Sequence, residues 1–160
     1  MTPRPIVLLL SGPNLNLLGE RQPLIYGSAT LDDLVGLARA TADAHGLDLE
    51  HVQSNHEGDL VDAVQGARGR CAALVVNAAA LTHYGRSLHD ALLTFEGPLV
   101  ELHISNPHSR EEWRHESVVS PIATAVVAGF GGAGYRLAID GVAELLRQPA
   151  TGSTEEGTDR

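Results

Sequence analysis

The chain has 160 residues, 43% apolar, 19% charged and 4% aromatic, the make-up of one compact domain with a single core, assigned to residues 1–150 with a disordered tail over 151–160. Its 11 basic residues are all arginine, so Schiff-base, pyridoxal-phosphate and Walker-A chemistry has no lysine to use, and the lone Cys71 cannot form an internal disulfide. With 20 acidic residues the formal net charge is −9, which opposes nucleic acid and anionic membranes, so an anionic ligand has to be drawn in by locally placed Arg, His or backbone N–H groups.

Met1 to Pro5 carries no charged-then-apolar signal pattern, and no apolar run approaches the roughly 20 residues that span a bilayer. A soluble, cytoplasmic protein without nucleic-acid or membrane partners is expected. Ile6 to Leu10 is a continuous apolar run and predicts a strand buried on both faces. A long Gly/Pro/Asn-rich loop follows, Ser11 to Gly27, of the length expected for a binding loop or lid. From Leu31 the apolar positions Leu34, Val35, Ala38 and Ala42 share a helical face, with Thr30 and Asp33 placed as a capping-box variant and Gly46 as the stop.

Leu47 to Gln53 predicts a second strand, Glu57 to Ala67 a helix and Ala72 to Val76 a third strand. Ser87 to Phe95 is helical in pattern, Leu99 to Ile104 reads as a fourth strand, and Ser109 to Arg114 as a short polar helix. Val118 to Ala128, interrupted by Pro121, contains a fifth strand, and Tyr135, Ala138, Ile139, Val142, Leu145 and Leu146 line the face of a last helix. This alternation predicts an α/β fold: a flavodoxin-like five-stranded parallel sheet with helices on both faces. In such sheets ligands bind beyond the carboxyl ends of the strands, which selects the loops after Leu10, Val76 and Ile104.

Those loops hold the residues able to do chemistry. In the first, Asn14 suits either a turn or a ligand, and Arg21 and Tyr26 form a suggestive pair. A tyrosine, with its pKa of ~10, is a poor base near neutrality unless a cation favours the phenolate. After the third strand, Asn77 and His83 suit loop backbone or ligand equally well, and Asp90 reads as a solvated helix charge. The strongest signal is Glu101 and His103, two apart and so on one face of a strand. A carboxylate beside an imidazole orients it and favours its protonated form, which is how a general acid at neutral pH is built. Arg110 and Arg114, four apart in the short helix, would share a face and hold an anion or a base. No HExxH spacing or Cys/His framework is present, so no metal is expected. Flavin mononucleotide is disfavoured by the lack of a Ser/Thr-rich phosphate cradle, and a receiver domain by Asn77 at the end of strand three.

Taken in order, Gly12-Pro13-Asn14-Leu15, Arg21-Gln22-Pro23 with Tyr26-Gly27, Leu81-Thr82-His83, Glu101-Leu102-His103-Ile104-Ser105-Asn106, Arg110-Glu111-Glu112 and Ser120-Pro121-Ile122-Ala123-Thr124 resemble type II 3-dehydroquinate dehydratase. The resemblance covers roughly Ile6 to Leu146. It implies a flavodoxin-like fold, a homododecamer built as a tetramer of trimers, no cofactor, and 3-dehydroquinate as substrate. The reaction is an anti elimination of water through an enolate, serving the shikimate pathway of aromatic amino-acid biosynthesis or quinate breakdown. Tyr26 is then the base, Arg21 holds it as phenolate with Arg110 in support, Asn14 stabilises the enolate through a water, and His103, oriented by Glu101, is the acid. Asn77 and the backbone N–H groups of Ile104 and Ser105 would bind the carboxylate. His83 and Arg114 would hold ring hydroxyls, and Asp90 would reach the site from a neighbouring subunit. One segment departs from the family's pattern. A glycine usually follows Asn77 within three residues, then Thr-His-Thr-Ser, where this chain has Ala78-Ala79-Ala80 and Thr82-His83-Tyr84-Gly85.

Overall fold

The structure, a computed structural model, describes residues 2–20 and 22–149. Arg21 and the expected tail over 151–160 therefore lie outside the described residues. Five strands, Ile6–Ser11 (β1), Asp48–Gln53 (β2), Ala73–Asn77 (β3), Leu99–His103 (β4) and Ala125–Ala128 (β5), form one parallel sheet in the order β2-β1-β3-β4-β5. The helices are Pro23–Tyr26 (α1), Leu31–Ala44 (α2), Glu57–Ala67 (α3), Arg86–Leu93 (α4) and Ala133–Arg147 (α5).

Because strand side chains alternate, the run Val7 to Leu10 feeds two cores. Val7 and Leu9 pack with Val75, Val100 and Leu102 under α2 and α5, which contribute Leu34, Ala38, Tyr135 and Ile139. Leu8 and Leu10 pack on the opposite face with Leu74, Val76 and Leu99 under α3 and α4, which bring Leu60, Val64, Leu88 and Leu92. Burying each such leucine or valine is worth about 1.5–3 kcal/mol, and this two-sided burial is why the strands read as unbroken apolar runs. The expected flavodoxin-like α/β architecture is the one observed.

The capping box forms as expected: Thr30 Oγ1 accepts from the Asp33 amide at 3.2 Å, and Asp33 Oδ2 accepts from the Thr30 amide at 3.0 Å. Gly46 ends α2 with a φ of +72°, a left-handed turn that suits glycine. One expectation needs correction, and two others gain detail. The first long loop carries two short turns, a 3-10 turn over Leu15–Leu17 and a single helical turn over Pro23–Tyr26. The fifth strand falls within the expected span, at Ala125–Ala128, after a 3-10 turn over Ser120–Ile122 that holds Pro121. The short polar helix over 109–114 does not form. Asn106 Oδ1 caps the His108 amide to start one 3-10 turn, Pro107–Ser109, Arg110 is extended at φ −112° and ψ −162°, and a second turn follows over Glu112–Arg114. Arg110 and Arg114 therefore share no helix face. Among the described residues no helix is long and apolar enough to cross a membrane.

Candidate active site

Sheet register places the site. Ser11 at the end of β1 is level with Asn77 at the end of β3, and Val76 is level with Glu101 of β4, so the loops after β1, β3 and β4 open side by side. Between them lies a pocket lined by Asn14, Tyr26, Asn77, His83, His103 and Arg110, with Ile104, Ser105 and Arg114 completing its wall. No carboxylate lines it among the described residues. A chain with a net charge of −9 thus keeps a locally cationic pocket.

On the β4 side, Glu101 and His103 do share a face, that of Leu99 and the α3–α4 core. His103 Nε2 meets Glu101 Oε1 at 2.8 Å, and Glu101 is only 1% exposed. Burial by itself pushes the Glu101 carboxyl up, but hydrogen bonds from His103, Ser117 and Ser120 outweigh it and hold the group below its ordinary value. A buried carboxylate stays ionised because its oxygens are occupied: Ser117 Oγ donates to Oε1 at 2.6 Å and Ser120 Oγ to Oε2. With Nε2 committed to Glu101, the ring's Nδ1 is left for the pocket that His103 lines.

Asn77 is nearly buried, and its amide is oriented by two contacts. Its Oδ1 accepts from the Ala79 amide at 3.3 Å, and its Nδ2 donates to Tyr135 Oη at 3.2 Å. Tyr135 is itself buried, and burial pushes its phenol up to about 12, so it stays neutral. His83 donates from Nδ1 to the Glu116 carbonyl at 2.6 Å. Burial lowers its pKa from the usual 6.5, against the hydrogen bond to the Glu116 carbonyl, which raises it, and His103 and Arg114 add to the lowering. The neutral ring then offers Nε2 as an acceptor, suited to a hydroxyl. Trp113 meets the His83 ring edge-on at 5.2 Å and lies under the Arg114 guanidinium at 4.0 Å, while Glu111 Oε2 accepts from Arg114 Nε at 2.7 Å.

The first loop supplies the opposite wall. Gly12 donates its amide to the Asn77 carbonyl at 2.8 Å, and a Cβ there would collide with the Ala78 carbonyl oxygen, so only glycine allows this approach. Asn14 follows in the left-handed region at φ 69°, its amide held by Asn55 Oδ1 at 3.0 Å. Tyr26 ends α1, and Arg110 Nη1 donates to its hydroxyl at 2.7 Å. The guanidinium also lies over the phenol ring at 5.2 Å. Arg21, the other cation expected here, falls outside the described residues. Arg110 and Arg114 reach the pocket after all, through separate turns. Asp90 lies on α4 and does not line this pocket. Sequence reading gave no role to Ser117, Ser120, Tyr135, Asn55 or Trp113. Ser120 entered only as the start of the Ser120-Pro121-Ile122-Ala123-Thr124 motif, and Tyr135 only as a residue on the face of the last helix.

A tyrosine oxygen held by a guanidinium and an imidazole held by a carboxylate, facing one pocket, can take a proton from carbon and give one to a leaving oxygen. A family model described as dehydroquinase class II matches residues 5–143 of the chain. The chain belongs to this family. The 3-dehydroquinate dehydratase 1 of Corynebacterium efficiens is 58% identical over 134 residues, 84% of this chain and 89% of the relative. A catabolic 3-dehydroquinase of Aspergillus clavatus is 48% identical over 145 residues, 91% of this chain and 97% of that one. The crystal structure of type II dehydroquinase from Butyrivibrio crossotus superimposes with a TM-score of 0.85 at 37% identity, covering 88% of this chain and 99% of that one.

The segment where this chain departs from the family pattern has a physical consequence at both ends. Ala79 adopts φ +52°, a left-handed conformation that favours glycine, in the stretch where the pattern has one. At Tyr84-Gly85 no side chain caps α4. Its Leu88 amide is capped instead by Glu57 Oε1 from α3 at 2.9 Å.

Proposed function

We propose that this chain is a hydro-lyase that converts 3-dehydroquinate to 3-dehydroshikimate by anti elimination through an enolate. The observation that carries the reading is the pairing of Tyr26 with Arg110 and of Glu101 with His103 on one cationic pocket. Tyr26, as phenolate, takes the proton α to the ketone, and the C–H electron pair becomes the enolate. Arg110 and Arg21 supply the positive charge beside the base. Asn14 stabilises the enolate oxygen through a water. The enolate then reforms the carbonyl and expels the β-hydroxyl, which takes the proton from His103 and leaves as water. Glu101 balances the charge of the imidazolium until that proton is delivered.

Asn77 and the backbone N–H groups of Ile104 and Ser105 hold the substrate carboxylate, and His83 and Arg114 its ring hydroxyls. The twelve-copy assembly, a tetramer of trimers, would bring Asp90 to a neighbouring subunit's pocket, which suits its place outside its own. Light scattering on the purified protein checks this, with a mass twelve times that of the chain expected. On this reading the protein serves the shikimate pathway, or quinate breakdown, and works in the cytoplasm.

The test of the reading is turnover of 3-dehydroquinate, followed by the ultraviolet absorbance of the conjugated enone carboxylate. Turnover that persists with a chelator, and with borohydride added in the presence of substrate, is expected. A chain without lysine can form no side-chain imine for borohydride to trap. Substrate-dependent inactivation by borohydride overturns the enolate mechanism, and absence of turnover from folded, assembled protein overturns the substrate.

A further inference from the structure

The loop between Arg114 and β5 passes behind His103 and is fastened there along its length. His83 and His89 donate from Nδ1 to the carbonyls of Glu116 and Val118, each at 2.6 Å, the Val118 amide donates to the Thr82 carbonyl at 2.7 Å, and Val119 is buried. Within it, Ser117 Oγ accepts two backbone amides, from Val119 and Ser120, both at 3.0 Å. A serine hydroxyl has two lone pairs and one proton. With both lone pairs filled, the proton has one direction left, and it goes to Glu101 Oε1 at 2.6 Å. Ser120 Oγ donates to the other carboxylate oxygen.

We propose that Ser117 and Ser120 are positioning residues for the elimination: their hydroxyls clamp the two oxygens of Glu101, keeping the pair's proton on His103, where it is delivered to the leaving group. This rests on the reading of His103 as the acid. Donors to a carboxylate stabilise it whether or not the neighbouring imidazole is charged, and most strongly when that imidazole is neutral and compensates nothing. Without the clamp, the Glu101–His103 pair as a unit holds its proton to higher pH, while that proton rests more often on Glu101. Turnover then falls although the pair is protonated over a wider range. The other titratable groups facing the pair are His83, His108, Arg114 and His115 in the cavity behind it, with Tyr26 and Arg110 facing His103 from the pocket. Glu101 is the only carboxylate lining either space among the described residues.

The test compares Ser120→Ala, Ser117→Ala and the double variant with the parent, with Ser120→Thr as the hydroxyl-retaining control. Expected are a fall in kcat of roughly tenfold or more, the scale of one lost hydrogen bond to a charged group, with KM little changed. The alkaline limb of the kcat profile moves up by roughly half a pH unit or more, and Ser120→Thr restores both. Ser120→Ala is the decisive variant, because Ser117 and its two amide contacts remain to hold the turn. A folded Ser120→Ala enzyme with the parent's kcat and alkaline limb, or with its loss confined to KM, overturns the proposal. NMR titration of the His103 ring in substrate-free protein separates this from the reading it rests on. A displaced titration in the variants supports the clamp even if the parent fails to turn over 3-dehydroquinate. An unmoved one overturns the clamp even in an active enzyme.

Discussion

His103 ends a strand whose five residues are all buried, whereas Tyr26 ends a four-residue helix with no buried residue and with Leu24 fully exposed beside it. Glu101 and His103 are set by the register of β4 against β3 and β5, and each has its partner within the sheet or the loop behind it. Tyr26 sits on a turn at the far end of the first loop, only partly packed against the core, and its oxygen is reached by Arg110 from the turns after β4. The lesson is a division of labour. The half proposed as acid is built into the sheet and the loop behind it, whereas the half proposed as base sits on an exposed turn whose tyrosine oxygen is reached from the turns after β4. The two halves should therefore fail differently when damaged.

The largest expected effect is on the base side. Tyr26→Phe should lower kcat by about 10²–10⁴-fold, the usual worth of a general base, while KM and the urea midpoint stay near the parent's. Near-normal kcat in this variant breaks the comparison at its base. Next is Glu101→Gln, which should lower kcat by about 10–100-fold and also destabilise the fold by about 1–3 kcal/mol, because it leaves buried donors without their charged acceptor. Steady-state kinetics and urea unfolding on the same preparation check whether the acid half, unlike the base half, couples activity to stability.

The same carboxyl gives the pH dependence its sign. Its pKa is held below the ordinary 4.5 in the folded protein, so its contribution is fully present above that value and is lost as pH falls through the lower folded value. Thermal unfolding midpoints should drop as the buffer is taken below about pH 4.5 in the parent, and less steeply in Glu101→Gln.

Smaller effects sharpen the picture on the β3 side. Tyr135→Phe removes the partner of the Asn77 amide, so KM should rise a few-fold with kcat less affected, and stability should fall by about 1 kcal/mol. Ala79→Gly relieves a left-handed alanine and should stabilise by about 0.5 kcal/mol, measured by urea unfolding, with turnover within about twofold of the parent.

Much of this was legible in advance, for reasons that are local. Apolar periodicity gave the strands and helices, because a residue's face is set by its neighbours two, three or four positions away. For the same reason Thr30 and Asp33 announced their capping box, and Glu101 and His103 their shared face. The short helix over 109–114 failed because hydrogen bonds local to Asn106 and Pro107 made a tight turn instead, and the spacing of Arg110 and Arg114 then ceased to mean a shared face.

By itself, then, the sequence determined the alternating architecture, the strand ends where a ligand would sit, and the all-arginine chemistry that leaves no side-chain amine for an imine. Only the tertiary structure decided how each group is held. Ser117 and Ser120 reach Glu101 across 16 and 19 residues, Asn55 reaches Asn14 across 41, and Tyr135 reaches Asn77 across 58. Contacts at such separations follow no period along the chain. They arise when the register of parallel strands brings distant loops to one edge of the sheet, where buried polar groups must find partners.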